Sequence, residues 1–229
     1  MGKAIEEIAL KEGHEIVLII DANNTSDCTI SNLQKADVAI EFTGPHSAIQ
    51  NIQTCINAGV PVVSGSTGWL TQWNEVSNYC NQKNGTLLYA SNFSIGVNIF
   101  FEINRQLAAL MASRHEYVAS IEEIHHTEKK DAPSGTAITL AEDIIRQMPS
   151  LEKWVLGTSE TDKELSITSK RIDPAPGTHV ITYDSPIDSI EIKHTAHSRK
   201  GFAAGALLAA EFLLDKNGIF DMKDVLKNQ

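Results

Sequence analysis

The first ninety residues alternate short apolar runs with amphipathic stretches, and this alternation leaves the chain few architectures. Lys3 to Glu12 carries apolar residues at helical spacing and stops at Gly13, while Glu15 to Ile20 and Asp37 to Phe42 read as strands. Pro45 to Ala58 reads as a helix ended by Gly59, Val60 to Val63 as a strand, Leu70 to Lys83 as a helix and Thr86 to Tyr89 as a further strand. Strands separated by helices lie parallel, with the helices covering both faces of the sheet. Ligands bind such sheets at the carboxyl ends of the strands.

From Ser94 the pattern changes. A long apolar helix, Val97 to Ser113, leads into a strand from Tyr117 to Ile124 and a helix from Ser134 to Met148. Three strand-like runs follow, Glu164 to Ile172, Thr178 to Tyr183 and Ser189 to His194, parted by turn residues at Pro174, Pro176-Gly177 and Ser185-Pro186. Strands in succession without helices between them imply a mixed or antiparallel sheet, hence a second domain of α+β character. Helices at Gly201 to Asp215 and near Asp221 to Leu226 close the chain. The expected division is residues 1–94 with 199–229 as one domain and 95–198 as the other, which 229 residues can supply with cores.

The stretch His125-His126-Thr127-Glu128-Lys129-Lys130-Asp131-Ala132-Pro133-Ser134-Gly135-Thr136-Ala137 concentrates proton donors in front of a helix start. Pro133 keeps Ala132 out of helical geometry, Ser134 suits an N-cap, and Ile138, Leu140, Ala141, Ile144 and Ile145 repeat at helical spacing. The N–H groups near Gly135 and Thr136 lack helical partners and carry the positive end of the helix dipole, so a carboxylate or phosphate can dock there. Each of these features alone is ordinary surface or turn chemistry. In a chain of net charge −10, a cationic cluster converging on an N-cap reads as an anion site with imidazole and ammonium proton donors.

Three features at expected strand ends suit a dinucleotide. Asp21 ends the run Ile16 to Ile20 and follows Gly2 by nineteen residues, near the spacing between the last glycine of a Rossmann fingerprint and its ribose-binding acid. Gly65, Ser66 and Thr67 follow one strand, and Ala90, Ser91, Asn92 and Phe93 follow the next, each offering a loop beside which a flat ring can lie. Met1-Gly2-Lys3-Ala4 corresponds to the tail of G-x-G-x-x-G, without its first two glycines or the strand before them.

Other classes are disfavoured. With 29 acidic against 19 basic residues, nucleic acid is a poor partner. No apolar run reaches the roughly 20 residues that span a bilayer, and the charged N-terminus is unlike a signal peptide, so a cytoplasmic protein is expected. Cys28, Cys55 and Cys80 are odd in number and lack CxxC spacing, which implies free thiols, and the histidines show no metal-site spacing.

Across essentially its whole length the chain resembles the 4-hydroxy-tetrahydrodipicolinate (dihydrodipicolinate) reductase family. The most specific stretch runs from Glu123-Ile124-His125-His126 through Lys129 to Asp131-Ala132-Pro133-Ser134-Gly135-Thr136-Ala137. Asp37 to Thr43 with Pro45, Val62 to Gly68, Ala90 to Asn98, Ser198-Arg199 and Gly218 to Leu226 support it. The resemblance implies an α/β fold with a Rossmann-type dinucleotide-binding domain and an α+β substrate and tetramerisation domain with a mixed sheet. It implies an NADH- or NADPH-dependent reduction of a cyclic unsaturated dicarboxylate in diaminopimelate and lysine biosynthesis, by a homotetramer and without a metal. Position by position, His125 matches a proton donor and Lys129 a second donor that contacts substrate. His126 matches a substrate-binding residue, and Gly135 and Thr136 the backbone donors to a carboxylate. Gly2, Asp21, Gly65, Ser66, Thr67 and Ala90 to Phe93 match the cofactor-binding positions. No arginine follows Asp21, where Ala22, Asn23 and Asn24 stand, so NADH is favoured over NADPH.

Two expectations remain open to test. A first Rossmann strand is missing before Met1, whether by a misassigned start codon or a deliberate shortening, and would lie between the strands at Glu15 to Ile20 and Asp37 to Phe42 on one side and Val60 to Val63 on the other. Another two-domain NAD(P)-dependent dehydrogenase, or a catalytically silent protein of the same fold, is the alternative reading. A semialdehyde dehydrogenase would need a nucleophilic cysteine in a site loop, and Cys28, Cys55 and Cys80 sit badly for that role.

Overall fold

A computed structural model describes residues 1–198 and 200–227. The chain splits into two compact units, Met1–Asn98 with Lys200–Gln229, and Ile99–Arg199. The supporting match at Arg199 lies outside the described residues. The first unit contains helices α1 (Gly2–Lys11) and α2 (Ile30–Leu33), strand β1 (Ala39–Glu41), helix α3 (Ala48–Ala58), strand β2 (Val62–Ser64), helix α4 (Trp73–Gln82) and strand β3 (Thr86–Tyr89). Helix α5 (Ile95–Met111) runs across the boundary. The second unit continues with β4 (Val118–His125), α6 (Gly135–Gln147), β5 (Lys153–Leu156), β6 (Glu164–Arg171), β7 (Thr178–Asp184) and β8 (Ser189–Thr195). Helix α7 (Lys200–Phe212), strand β9 (Gly218–Phe220) and helix α8 (Met222–Lys227) return to the first unit.

In the first unit β1, β2, β3 and β9 form a parallel sheet in that order. Alternation within its buried strands decides which residue meets which layer. Val63 and Leu88 pack with Ile5 and Ile8 of α1 and with Ala203, Ala206, Ala209 and Ala210 of α7. Val62 and Leu87 turn to the opposite layer, against Ile52 and Ile56 of α3 and Val76 of α4. The alanines let α7 lie close to the sheet. At Gly205 a Cβ would stand 1.7 Å from the Phe93 carbonyl oxygen, so only glycine fits that contact.

Glu15 to Ile20 does not form the expected strand. It carries no ladder, and Ile19 is 54% exposed, its carbonyl accepting only a side-chain bond from Asn24 among the described hydrogen bonds. Apolar alternation makes a strand only beside a hydrogen-bonding neighbour, and none of the described strands pairs with this segment. The position expected for a further strand is also corrected. Ala39 pairs directly with Val62 and Glu41 with Ser64, so no gap separates β1 from β2. Strands β5 and β9 and helix α2 escaped the sequence reading because three or four residues give too little periodicity.

The second unit holds a mixed sheet in the order β5-β6-β4-β7-β8, parallel from β5 to β4 and antiparallel from β4 to β8. Helix α6 packs on this sheet, burying Ala137, Leu140, Ala141 and Ile144 where Ile121, Leu165, Ile167 and Ile181 are buried. The other face of the sheet bears Val118, Ser120, Glu122, Thr168, Val180 and Thr182, none of them buried.

Candidate active site

Strand β4 delivers the most informative residues. Its inward positions are Ala119, Ile121, Glu123 and His125, so the period-2 rule that buries two apolar side chains also buries a carboxylate and an imidazole. The antiparallel neighbour β7 does the same with His179, Ile181 and Tyr183. Polar residues in apolar slots are a readable sequence signal. It would have found Glu123 and His179, to which the spacing analysis gave no role.

Glu123 Oε1 accepts bonds from the Ser134 N–H at 3.2 Å and from Arg171 Nη2 at 2.9 Å. Its Oε2 lies 2.6 Å from His125 Nδ1. That approach is bent away from hydrogen-bond alignment, and both atoms are buried. Burial alone would raise the Glu123 carboxyl, but the donors from His125, Ser134, Ser169 and Arg171 outweigh it and hold the group below the usual carboxylate range. The His179 ring meets that of His125 edge to face at 5.1 Å and reaches Ser134 Oγ at 3.1 Å through Nε2. Burial, and then the charge of His125, push His179 down to about 4, so it is neutral at pH 7.

The loop after β4 is tied down at both ends. Thr127 donates through its N–H and hydroxyl to Asp173, at 3.1 and 2.6 Å. Arg171 donates to the carbonyls of Lys129 and Asp131 while it holds Glu123. Lys129 Nζ bonds both oxygens of Asp131 at 2.8 Å, and this ammonium holds the Asp131 carboxyl below its ordinary value. Arg171 also escaped the sequence reading; it is 42 residues from Lys129, and only the β4–β6 pairing of His125 with Arg171 brings it there.

Helix α6 begins where expected. Ser134 is its N-cap, with backbone in the extended region and its hydroxyl accepting from the Ala137 N–H. The Ser134 N–H is spent on Glu123, which leaves the N–H groups of exposed Gly135 and half-buried Thr136 for an acceptor from outside the fold. His126 is half-buried beside the same loop. The unit therefore gathers His125, His126, Lys129, Gly135 and Thr136 on one strand, one loop and one helix start. Glu123, His125 and His179 also present ligand atoms within 4.8 Å of one another, a donor set that linear spacing does not reveal. Arg171 on the same carboxylate opposes a second cation there.

The expected cofactor residues all lie in the first unit. Gly65, Ser66 and Thr67 leave the carboxyl end of β2, and Ala90 to Phe93 that of β3. At Gly65 a Cβ would overlap the Phe42 ring at 2.1 Å, so glycine is what lets that ring lie against this loop. Ser66 Oγ is committed: it donates to Glu41 Oε1 at 2.7 Å and accepts from the Thr43 N–H at 2.8 Å. Glu41, buried without an ion-pair partner among the described residues, also takes the hydroxyls of Ser64 and Thr43 and so stitches the β1 and β2 loop ends together. Thr67 and Ser91 are exposed, Asn92 is half-buried, and Ala90 and Phe93 are buried. The Phe93 ring packs on Phe42, so any ligand meets its backbone. Asp21 is exposed and caps its own turn through a 2.7 Å bond from the Asn23 N–H, and Gly2 opens α1. Loops gathered at the carboxyl edge of a parallel sheet fit a nicotinamide dinucleotide.

Comparison with known proteins places the chain. Family models described as the N-terminus and the C-terminus of dihydrodipicolinate reductase match residues 1–93 and 96–226. The 4-hydroxy-tetrahydrodipicolinate reductase of Christiangramia forsetii is 49% identical over 228 residues, covering 100% of this chain and 94% of its own. That of Methanosarcina barkeri is 38% identical over 215 residues, 92% of this chain and 80% of its own. Among solved structures, the dipicolinate-bound dihydrodipicolinate reductase of Paenisporosarcina sp. TG-14 superposes with a TM-score of 0.76 at 22% identity, covering 96% of this chain and 92% of that one. The amine dehydrogenase of Mycobacterium smegmatis shares the fold more distantly, at a TM-score of 0.59 and 10% identity over 96% of this chain and 91% of that one.

Proposed function

The chain belongs to the dihydrodipicolinate reductase family, and from that premise we propose that it reduces 4-hydroxy-tetrahydrodipicolinate to tetrahydrodipicolinate with NADH or NADPH, in diaminopimelate and lysine biosynthesis. The observation that carries the reading is the convergence of His125, Lys129 and the open N–H groups of Gly135 and Thr136 within one unit. A substrate with two carboxylates needs an anion site, and the start of α6 with Lys129 offers one. His126 adds a contact beside it. The substrate carboxylate competes with Asp131 for the Lys129 ammonium, so Asp131 holds that cation in place until substrate arrives. His125 supplies the proton that a reduced conjugated imine requires, with Lys129 as second donor.

Gly2, Asp21, Gly65, Ser66, Thr67, Ala90, Ser91, Asn92 and Phe93 are the residues that would hold the dinucleotide. When bound, its nicotinamide supplies the hydride. Ser66 acts through its backbone, since its hydroxyl serves Glu41. Asp21 accepts from the ribose hydroxyls and repels a 2′-phosphate, which favours NADH. The reaction needs no metal. The face of the β5-β6-β4-β7-β8 sheet opposite α6, which bears Val118, Val180 and Thr182 beside the Glu122–Lys170 ion pair, is the surface this unit offers for self-association into a homotetramer. Free Cys28, Cys55 and Cys80 support a cytoplasmic setting, and no described helix is long and apolar enough to cross a membrane.

The test is NADH oxidation with substrate generated in situ from aspartate semialdehyde and pyruvate. Substrate-dependent oxidation is expected. Absence of both NADH binding and turnover would instead favour a silent protein of this fold.

A further inference from the structure

Glu123 touches three parts of the candidate site at once: His125 through Oε2, and the α6 start and the Arg171-held loop through Oε1. We infer that Glu123 is a positioning residue that fixes His125 in the tautomer with its hydrogen on Nδ1, so that Nε2 is the atom that gives up the proton. This rests on His125 being the proton donor of the proposed reaction.

The geometry leaves little alternative. The Glu123 side chain is 0% exposed, and two donors on Oε1 prevent the carboxylate from turning away. An ionised carboxylate only accepts hydrogen bonds, so the nitrogen 2.6 Å from Oε2 must carry hydrogen. Both atoms are buried, so a bare Nδ1 would leave two lone pairs facing each other at 2.6 Å out of water. The opposite nitrogen faces residue 177. A Cβ on residue 177 would stand 3.1 Å from Nε2 and 3.3 Å from Cδ2, and residue 177 is glycine. His179 completes the setting as a neutral ring against that of His125, adding bulk without a competing charge.

This arrangement makes proton transfer a one-sided event. In the imidazolium both nitrogens carry hydrogen. The Nε2–H bond breaks, its electron pair stays on the ring, and the proton goes to the electron-rich atom that hydride addition leaves on the substrate. What remains is the Nδ1–H tautomer, the form Glu123 accepts, so the ring need not turn before solvent reprotonates Nε2.

The experiment is nitrogen-15 NMR of the histidine-labelled full chain above about pH 8, where an ordinary imidazole is neutral, with His125 assigned by the signals missing in His125→Ala. The Nδ1–H tautomer is expected in the unsubstituted protein. Glu123→Gln, whose amide can donate to Nδ1, should shift His125 toward Nε2–H and lower kcat on the order of 10²-fold, with NADH affinity unchanged. Hydrogen on Nε2 in the unsubstituted protein would overturn the inference, and that reading stands even if Glu123→Gln fails to fold. Unchanged tautomer and kcat in a folded Glu123→Gln, with His125→Ala inactive, would overturn it alone. Full turnover in His125→Ala would remove the proton-donor assignment and this inference together.

Discussion

Single residues carry the chemistry here, and their charges are set by neighbours distant in sequence. His125→Ala and Lys129→Ala should each lower kcat on the order of 10²-fold or more, with NADH affinity held, since both side chains belong to the second unit; near-normal turnover in both would refute their roles. Asp21→Ala should narrow any preference for NADH over NADPH by relieving like-charge repulsion, as paired titrations would show, and an unsubstituted protein preferring NADPH tenfold would contradict the reading. His179 bears on stability. Its value near 4 lies below the unfolded value near 6.5, so the unfolded chain binds more protons between those limits and stability falls as pH drops through that window. The loss between pH 7 and pH 5 should be about 2 kcal/mol from this group. Urea titrations of the unsubstituted protein and His179→Gln at both pH values measure it, and equal pH dependence in the two would exclude His179 as the cause.

Secondary elements position these residues through rules of different reach. The start of α6 was legible in advance, because Pro133, the Ser134 cap and the apolar spacing are local signals and the observed helix opens at Gly135. Glu15 to Ile20 misled for the complementary reason, since a strand exists only with a neighbour and alternation says nothing about whether one is present. Helix α7 shows a third case. Its composition predicts a helix, but only the packed structure explains Gly205, where a Cβ would meet the Phe93 carbonyl. Gly205→Ala should therefore destabilise the first unit by about 3 kcal/mol or more, as overpacking against backbone does; a thermal midpoint unchanged from the parent would show that α7 can shift.

At the scale of the whole molecule, the two sheets divide the labour. The parallel sheet gathers the loops that suit a dinucleotide, and the mixed sheet gathers the proposed proton donors and the proposed anion site. The uncovered face of the mixed sheet leads to a prediction about assembly. Thr182→Arg, at the middle of that face, should dissociate the proposed homotetramer without unfolding the unit, because it places charge where a second sheet would pack. Sedimentation of both forms reads this directly. A parent chain that sediments as a monomer, or a variant that remains tetrameric, would place the interface elsewhere or remove it.

The sequence by itself determined the α/β alternation, the change of pattern at Ser94, the cap at Ser134 and the run from His125 to Thr136, because helix periodicity, turn chemistry and capping act over a few residues. Tertiary structure alone decided that His179 and Arg171 close around His125 and its strand neighbour Glu123, since strand pairing joins residues 40 to 60 positions apart and no local rule encodes that register. It also decided that Ser66 spends its hydroxyl on Glu41 rather than on a ligand. A buried carboxylate takes the donors that burial brings within reach, and burial belongs to the folded chain.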